Sequence, residues 1–386
     1  MTGNKKIAIT VGDAGGIGPE ICIKAFNSPG IVAKPEEFII IGNRNLLNTT
    51  ALDLGLKFPS EVEIFDIPFD MSKLTMGKSS VESGKHSFQA LKKACEMAKK
   101  EKIRAIVTAP TSKEAINSAG YHFTGQTEIL EEYLKSGNSF ESQEYLYSNN
   151  INFKKTIYIK NKLKNLLPKT IKKRSKKLRP EMLFVADSLR VLLLTRHLKL
   201  DSVSSSLNTK EIIKSILVLN SSLIKDFKIE NPRIAMCALN PHAGENGLFG
   251  HEEDYIIKPA LKKLQNKYGI NVEGPFPADT LWAKTATSYI KDNIVPYDAY
   301  AVCYHDQGLI PIKMLAMDKA VNTTINLPII RTSPCHGTAY DIAGQNKANC
   351  QSMIEAINLA YLLSIDCKDN QIFPADEVIT KTAQGT

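Results

Sequence analysis

Residues 304–313 read YHDQGLIPIK, residues 321–333 read VNTTINLPIIRTS and residues 336–344 read HGTAYDIAG. This one stretch holds an imidazole able to ligate a metal (His305), then Lys313, Asn322 and Arg331 among apolar neighbours, then a glycine-bearing turn with His336 and Asp341. Charged heads at the ends of apolar runs such as INLPII have the pattern of strand ends that line a cleft. A lone Lys or Arg is most often a solvated surface charge. Lys313 and Arg331 are crowded around a His–Asp pair and a glycine turn, and that crowding points to a site.

Working outward, KKIAITV (5–11) reads as a β-branched first strand that ends at Gly12. GDAGGIGPE (12–20) is a glycine turn whose Pro19 and Glu20 suit the first turn of a helix through ICIKAF. EEFIIIG and VEIFDI read as strands, and Phe88, Leu91, Cys95 and Ala98 recur at helical spacing between Ser80 and Lys102. AIVTAP is a further strand, followed by two helices through TSKEAINSAG and TGQTEILEEYLKSG. EMLFVADS and LRVLLLT are paired or sequential strands; a helix from Lys210 to Lys228, the strand RIAMCALNP and a helix from His251 to Gly269 come next. A PADT turn leads to the strand DAYAVCYHD, and QSMIEAINLAYLLS closes the series. Strands alternating with helices predict an α/β protein on largely parallel sheets with helices on both faces. Ligands of such folds sit beyond the carboxyl ends of the strands. Gly12–Asp13, Thr108 to Lys113, His197, His242 and His305 are all placed there.

A chain of 386 residues exceeds one ordinary core, so two domains are expected. Seven cysteines, scattered and never in a C-x-x-C pair, fit reduced thiols of a cytoplasmic protein and argue against a disulfide scaffold or a zinc ribbon. The opening MTGNKKIAITVGD lacks the apolar core of a secretory signal, and the longest apolar runs are of strand length, so no membrane span is expected. The net charge of +9 is local: residues 151–180 hold twelve Lys and Arg and no acid, leaving 37 bases against 40 acids elsewhere. With few aromatics and no amphipathic stripe, residues 138–180 read as an inserted, solvated excursion more than as a nucleic-acid arm.

Three of the seven histidines, His197, His242 and His305, directly follow strands. Neutral imidazoles converging from separate strand ends can cage a divalent cation and leave positions open for substrate. Each alone would be a hydrogen-bonding loop residue. Asp306, Glu245 and Asp279 can orient the imidazoles or act as a base, although each alone is an ordinary cap or turn residue. The turn at 12–18 can cradle phosphate at a helix N-terminus, or simply be tight; its spacing matches neither G-x-G-x-x-G nor a P-loop. FTGQTE (123–128) reads as an N-cap on Thr124 or Thr127, with Gln126 a polar reader of substrate.

Taken in order, GDAGGIGPE, VTAPTSKEAI with FTGQTE, TRHLKL, LNPHAGENGLFGHEE, GPFPADTLW, YHDQGLIPIK and VNTTINLPIIRTSPCHGTAYDIAGQNKA resemble the 4-hydroxythreonine-4-phosphate dehydrogenases of vitamin B6 biosynthesis over nearly the whole chain outside 138–180. The first turn and HGTAYDIAG also resemble the isocitrate and isopropylmalate dehydrogenase group. The resemblance implies two α/β/α domains with a cleft between them, residues 1–108 plus 308–386 on the cofactor side and 109–307 carrying the metal ligands and dimer contacts. It implies NAD (or NADP) on Gly12, Gly16, Gly18, His336, Gly337, Thr338, Asp341 and Gly344, and one divalent cation (Zn, Mg, Co or Mn) on His197, His242 and His305. Gln126, Thr127, Lys313, Asn322 and Arg331 would bind the phosphorylated substrate, Asp279 and Lys313 would be the catalytic groups, and the site would lie at a homodimer interface. Members carry His where Gln126 stands, and an amide cannot relay a proton. That departure admits a paralogue acting on another four-carbon phosphorylated acid, phosphothreonate or phosphoerythronate. A non-catalytic, nucleic-acid-associated protein is the remote third reading, resting on the basic run.

Overall fold

A strand such as FIIIG, buried at every position, is what a sheet covered on both faces requires. The computed structural model of the chain describes residues 5–135 and 179–365, so most of the 138–180 excursion lies outside the described residues. Its strands are β1 (Lys6–Thr10), β2 (Phe38–Gly42), β3 (Glu63–Asp66), β4 (Ile103–Thr108), β5 (Glu181–Ala186), β6 (Leu189–Leu193), β7 (Ile234–Cys237), β8 (Val272–Phe276), β9 (Ala299–Val302), β10 (Val321–Ile325) and β11 (Ile330–Pro334). The principal helices are α1 (Gly18–Phe26), α2 (Arg44–Asp53), α3 (Val81–Lys99), α4 (Lys113–Ser118), α5 (Gln126–Leu134), α6 (Thr209–Lys225), α7 (Lys258–Tyr268), α8 (Ala278–Asp292), α9 (His305–Ala316) and α10 (Gln351–Ser364).

The α/β class is as read from the sequence, but the strands form one eleven-stranded sheet, β3-β2-β1-β4-β11-β10-β5-β6-β9-β7-β8. Pairing is parallel except at β11–β10, β10–β5 and β5–β6. Those three reversals turn β6, β9 and β7 against β1 and β4, so the carboxyl ends of the two halves face opposite edges. Gly12–Asp13, Thr108 to Lys113, His197, His242 and His305 each follow the carboxyl end of a strand, as expected, but those ends lie on two opposite edges. The INLPII run holds two strand ends, Ile325 closing β10 and Ile330 opening the antiparallel β11, with residues 326–329 connecting them.

Four cores follow from the pleat. On one face Ile7, Ile9, Phe38 and Ile40 pack against α1 and α10, and Leu183, Leu192, Ile234 and Met236 pack against α6 and α7. Leu359 of α10 touches both of these clusters, so this face is closed. On the other face Ala8, Ile39, Ile41 and Ile106 meet α3, α4 and α5, while Phe184, Val191, Leu193 and Tyr300 meet α8 and α9. Cross-strand partners share a face. Arg331 is paired with Ile106, and Asn322 with Phe184 and Ser333, so a polar seam of Arg331, Asn322 and Ser333 divides this second face between its two cores. Packing assigns residues 116–134 to the β1 half and Leu309, Ile312 and Ala316 to the β9 half.

Two elements differ from the sequence reading in kind. GPFPADTLW does not hold a turn alone: its first residues lie in β8, and α8 begins at Ala278, with Asp279 in its first turn. Two prolines and a glycine disguised this strand-to-helix junction. Arg179, counted in the solvated basic run, is held by Glu181 at 2.7 Å, by Glu211 and by Ser215 at 2.9 Å.

His86 of α3 carries a prediction. It is 1% exposed, lies edge-on to Phe69 with centroids 5.3 Å apart, and has no partner on either ring nitrogen. Burial pulls its pKa from 6.5 to about 4, against a weaker opposing pull from Asp66. Its contribution is fully present above the unfolded value and is lost as pH falls toward the folded one, because only the unfolded chain takes the proton. Unfolding free energy measured in urea at pH 5 should be about 2 kcal/mol lower than at about pH 7.5 on this account, and His86→Phe should remove that difference.

Candidate active site

The seam is built around a guanidinium. Arg331 is 3% exposed, and its Nη1 donates to Thr324 Oγ1 at 2.8 Å while Nη2 donates to Thr108 Oγ1 at 2.7 Å and Gln126 Oε1 at 2.6 Å. Nε has no partner. Burial lowers its pKa to about 10, with Glu128 opposing that shift. It follows the INLPII run as the second residue of β11, and the strand register aims it across the sheet. Asn322, on the same face, has a buried Oδ1 without a partner, and its carbonyl accepts from Ser333 Oγ at 3.3 Å. The seam therefore offers unused donors and an unused acceptor beneath α5.

FTGQTE supplies the lid of this seam in a way the sequence did not disclose. Gly125, not Thr124 or Thr127, is the N-cap of α5, with no side-chain cap, and Thr127 is 7% exposed. Gln126 donates from Nε2 to the Ala109 carbonyl at 3.1 Å and to Thr111 Oγ1 at 2.9 Å. Lys113, the last residue of the Thr108 to Lys113 stretch, and Glu128, within the quoted FTGQTE motif but not named, act through space on His197. The signal available was a charge in the first turn of each helix that follows β4.

His197 follows β6 and His305 opens α9, with ring centroids 5.6 Å apart. Burial holds the His197 pKa below its ordinary value, assisted by Lys113 and then His305, with Glu128 opposing. Glu128 acts through space on both His197 and Arg331. His305 Nδ1 sits 2.6 Å from Asp306 Oδ1, which leaves Nε2 as its free ligating nitrogen. These donors fit a divalent cation as far as they go. His242 does not join them: it faces Glu245 at 3.5 Å, and among the described residues no three His, Cys, Asp or Glu are placed to hold one ion. Its loop is fixed by Glu253, 1% exposed, which accepts from the Leu239 and Asn240 amides at 2.8 Å each. His242, Ala243, Glu245 and Asn246 all have positive φ, a costly run that such anchors must hold. Gln307 ties β9 to β7, accepting from Cys303 N and donating to the Ala238 carbonyl, both at 2.7 Å.

The loops expected to take a nicotinamide cofactor are brought together. Ile17 N donates to the Thr338 carbonyl at 3.0 Å, and Gly77 N to the Gly15 carbonyl at 2.8 Å. Gly12 has φ +73, and a Cβ there would lie 2.3 Å from the Pro110 carbonyl, so no other residue fits. Gly12, Gly16 and Gly18 are buried under this contact, whereas Gly337, Asp341 and Gly344 are exposed and form the accessible side. Beneath the turn, Asp13 accepts from Gly15 N at 2.9 Å and Ser83 Oγ at 3.1 Å. Burial nevertheless raises its pKa. Lys313 is exposed near the end of α9, not at a strand end, and acts on Cys335 and His336. Burial lowers the His336 pKa; the Gly337 carbonyl, 3.1 Å from Nδ1, opposes that shift and Lys313 assists it. Asp279 is exposed on α8, whose neighbour is the His242 loop, and its nearest hydrogen-bond partner is Thr280 at 3.5 Å.

No helix among the described residues is long and apolar enough to cross a membrane. Residues 34–152 and 164–360 match the family model of pyridoxal phosphate biosynthetic protein PdxA. The chain is 35% identical to a 4-hydroxythreonine-4-phosphate dehydrogenase of Synechocystis, over 92% of this chain and 94% of that protein. It is 38% identical to one from Synechococcus strain JA-3-3Ab, over 93% and 95%. Among solved structures it is similar to the 4-hydroxythreonine-4-phosphate dehydrogenase of Klebsiella pneumoniae, with a TM-score of 0.73 and 30% identity, covering 94% of this chain and 99% of that one.

Proposed function

This chain belongs to the family of pyridoxal phosphate biosynthetic protein PdxA, and from that premise we propose that it oxidises and decarboxylates 4-phosphohydroxy-L-threonine to 3-amino-2-oxopropyl phosphate with NAD and a divalent cation. The observation that carries the reading is the buried Arg331, whose hydrogen-bond acceptors are all neutral, in a fold that also pairs His197 with His305. We read these as the anion-binding end and the alcohol-binding end of one site. Arg331, with Asn322, Thr127 and Lys313, binds the phosphorylated substrate, the fork of Arg331 matching phosphate or carboxylate geometry. His197, His305 and His242 hold the cation. A bound cation supplies Lewis-acid polarisation of the reacting alcohol, and NAD supplies hydride acceptance. Burial and Lys113 hold the His197 pKa below its ordinary value, which favours the neutral ring that ligation requires. The exposed side of the 336–344 loop takes the nicotinamide, and the six free cysteines among the described residues suit the cytoplasm.

NADH formation from 4-phosphohydroxy-L-threonine by purified protein, after chelation and metal add-back, tests the reading. No NADH, where a 4-hydroxythreonine-4-phosphate dehydrogenase run in parallel forms it, would end it. Gln126 favours one second reading, a paralogue acting on phosphothreonate or phosphoerythronate. A ranking of kcat/KM over the three acids separates them.

We place the complete site at the interface of a homodimer, with His242 supplied by the partner copy. Support comes from the separation of His242 from the other two imidazoles and from the apolar exposure of Leu248 (74%), Ile290 (75%) and Met314 (81%). Mixing His242→Ala and His305→Ala subunits should then restore roughly a quarter of wild-type turnover, since half of the dimers are mixed and each holds one intact site. If all three ligands come from one chain, the mixture stays inactive.

A further inference from the structure

We propose that Gln126 is a positioning residue that keeps Arg331 oriented and uncompensated for an incoming anion, and that it does not itself read the substrate. This rests on Arg331 being the phosphate-binding residue. A primary amide has two donor hydrogens and one carbonyl oxygen. In Gln126 the hydrogens are engaged by the Ala109 carbonyl at 3.1 Å and Thr111 Oγ1 at 2.9 Å, and the oxygen accepts from Arg331 Nη2 at 2.6 Å. Any donation to a substrate would have to break one of these bonds. The same bonds fix which way the amide points: its oxygen can face only the guanidinium, because its nitrogen faces a carbonyl.

Every oxygen hydrogen-bonded to Arg331 is neutral, Thr108 and Thr324 completing the set, and Glu128 acts on it only through space. A buried cation with only neutral acceptors is costly to keep, and it retains its full attraction for an anion. Replacement of the amide by an isosteric carboxylate would spend that attraction inside the protein. Gln126 therefore sets both the angle of the fork and the net charge of the pocket, with no group at 126 that titrates.

Calorimetric binding of inorganic phosphate to the full chain, with kcat and KM, separates the possibilities for Gln126→Glu, Gln126→Ala and Arg331→Lys. The Glu variant should bind phosphate on the order of 30-fold more weakly than wild type, and the Ala variant less than about 10-fold more weakly, with KM moving in that order and by more than kcat. A merely structural role reverses the order, since Glu preserves the shape and Ala does not, and that result overturns the proposal. Loss of phosphate binding in Arg331→Lys with full binding in Gln126→Glu overturns it too, and leaves the functional reading standing. Unchanged binding in all three variants removes both.

Discussion

On the proposed reading, replacing Arg331 by alanine should lower kcat/KM by about 3–5 kcal/mol of transition-state binding, a factor of roughly a hundred to several thousand, because a desolvated anion would lose a buried charged partner. Folding should suffer far less. Among the described residues the Arg331 guanidinium hydrogen-bonds only to Thr108, Thr324 and Gln126, and Glu128, which acts on it through space, is only half-buried, so its removal strands no buried carboxylate. The three oxygens lose a donor while an uncompensated buried charge disappears, and the change in unfolding free energy should stay within about 2 kcal/mol. Arg331→Lys keeps the charge but not the planar fork and should fall between wild type and alanine. Steady-state kinetics beside urea unfolding decides the matter: a catalytic loss no larger than the stability loss would mean that Arg331 is a structural residue.

Replacing His305 by alanine should remove metal-dependent turnover, with kcat lower by roughly a thousandfold or more and no recovery on add-back after chelation, since several kcal/mol of Lewis-acid stabilisation are lost. Metal titration by calorimetry supplies an independent readout. Asp306 grades the effect. Its carboxylate lies 2.6 Å from His305 Nδ1 and so orients the ring from behind. Asp306→Ala should weaken metal binding by roughly 10- to 100-fold while leaving the ligand in place. Full metal affinity in His305→Ala would exclude it as a ligand and leave the His197 pairing as simple ring packing.

Local chemistry made much of this molecule legible. The apolar runs of β1, β2 and β4, the helical spacing in α3 and the proline at the start of α1 each specify their conformation through near-neighbour sterics and burial. Other elements were disguised. Junctions rich in proline and glycine hid β8 and the start of α8, and nothing local marked Glu128 as a charge that acts through space on His197 and Arg331.

By itself the sequence determined the α/β class, the order of the motifs and the strand-following positions of His197, His242 and His305, because periodicity and residue type act over a few residues. Only the tertiary structure decided that three antiparallel pairings reverse half of one continuous sheet, that the β10–β11 register points Arg331 into a seam between two cores, and that Gln126 is bonded to it. Register is a choice among pairings of similar local energy. It is settled by which face the whole set of side chains can bury, and no short stretch of chain contains that information.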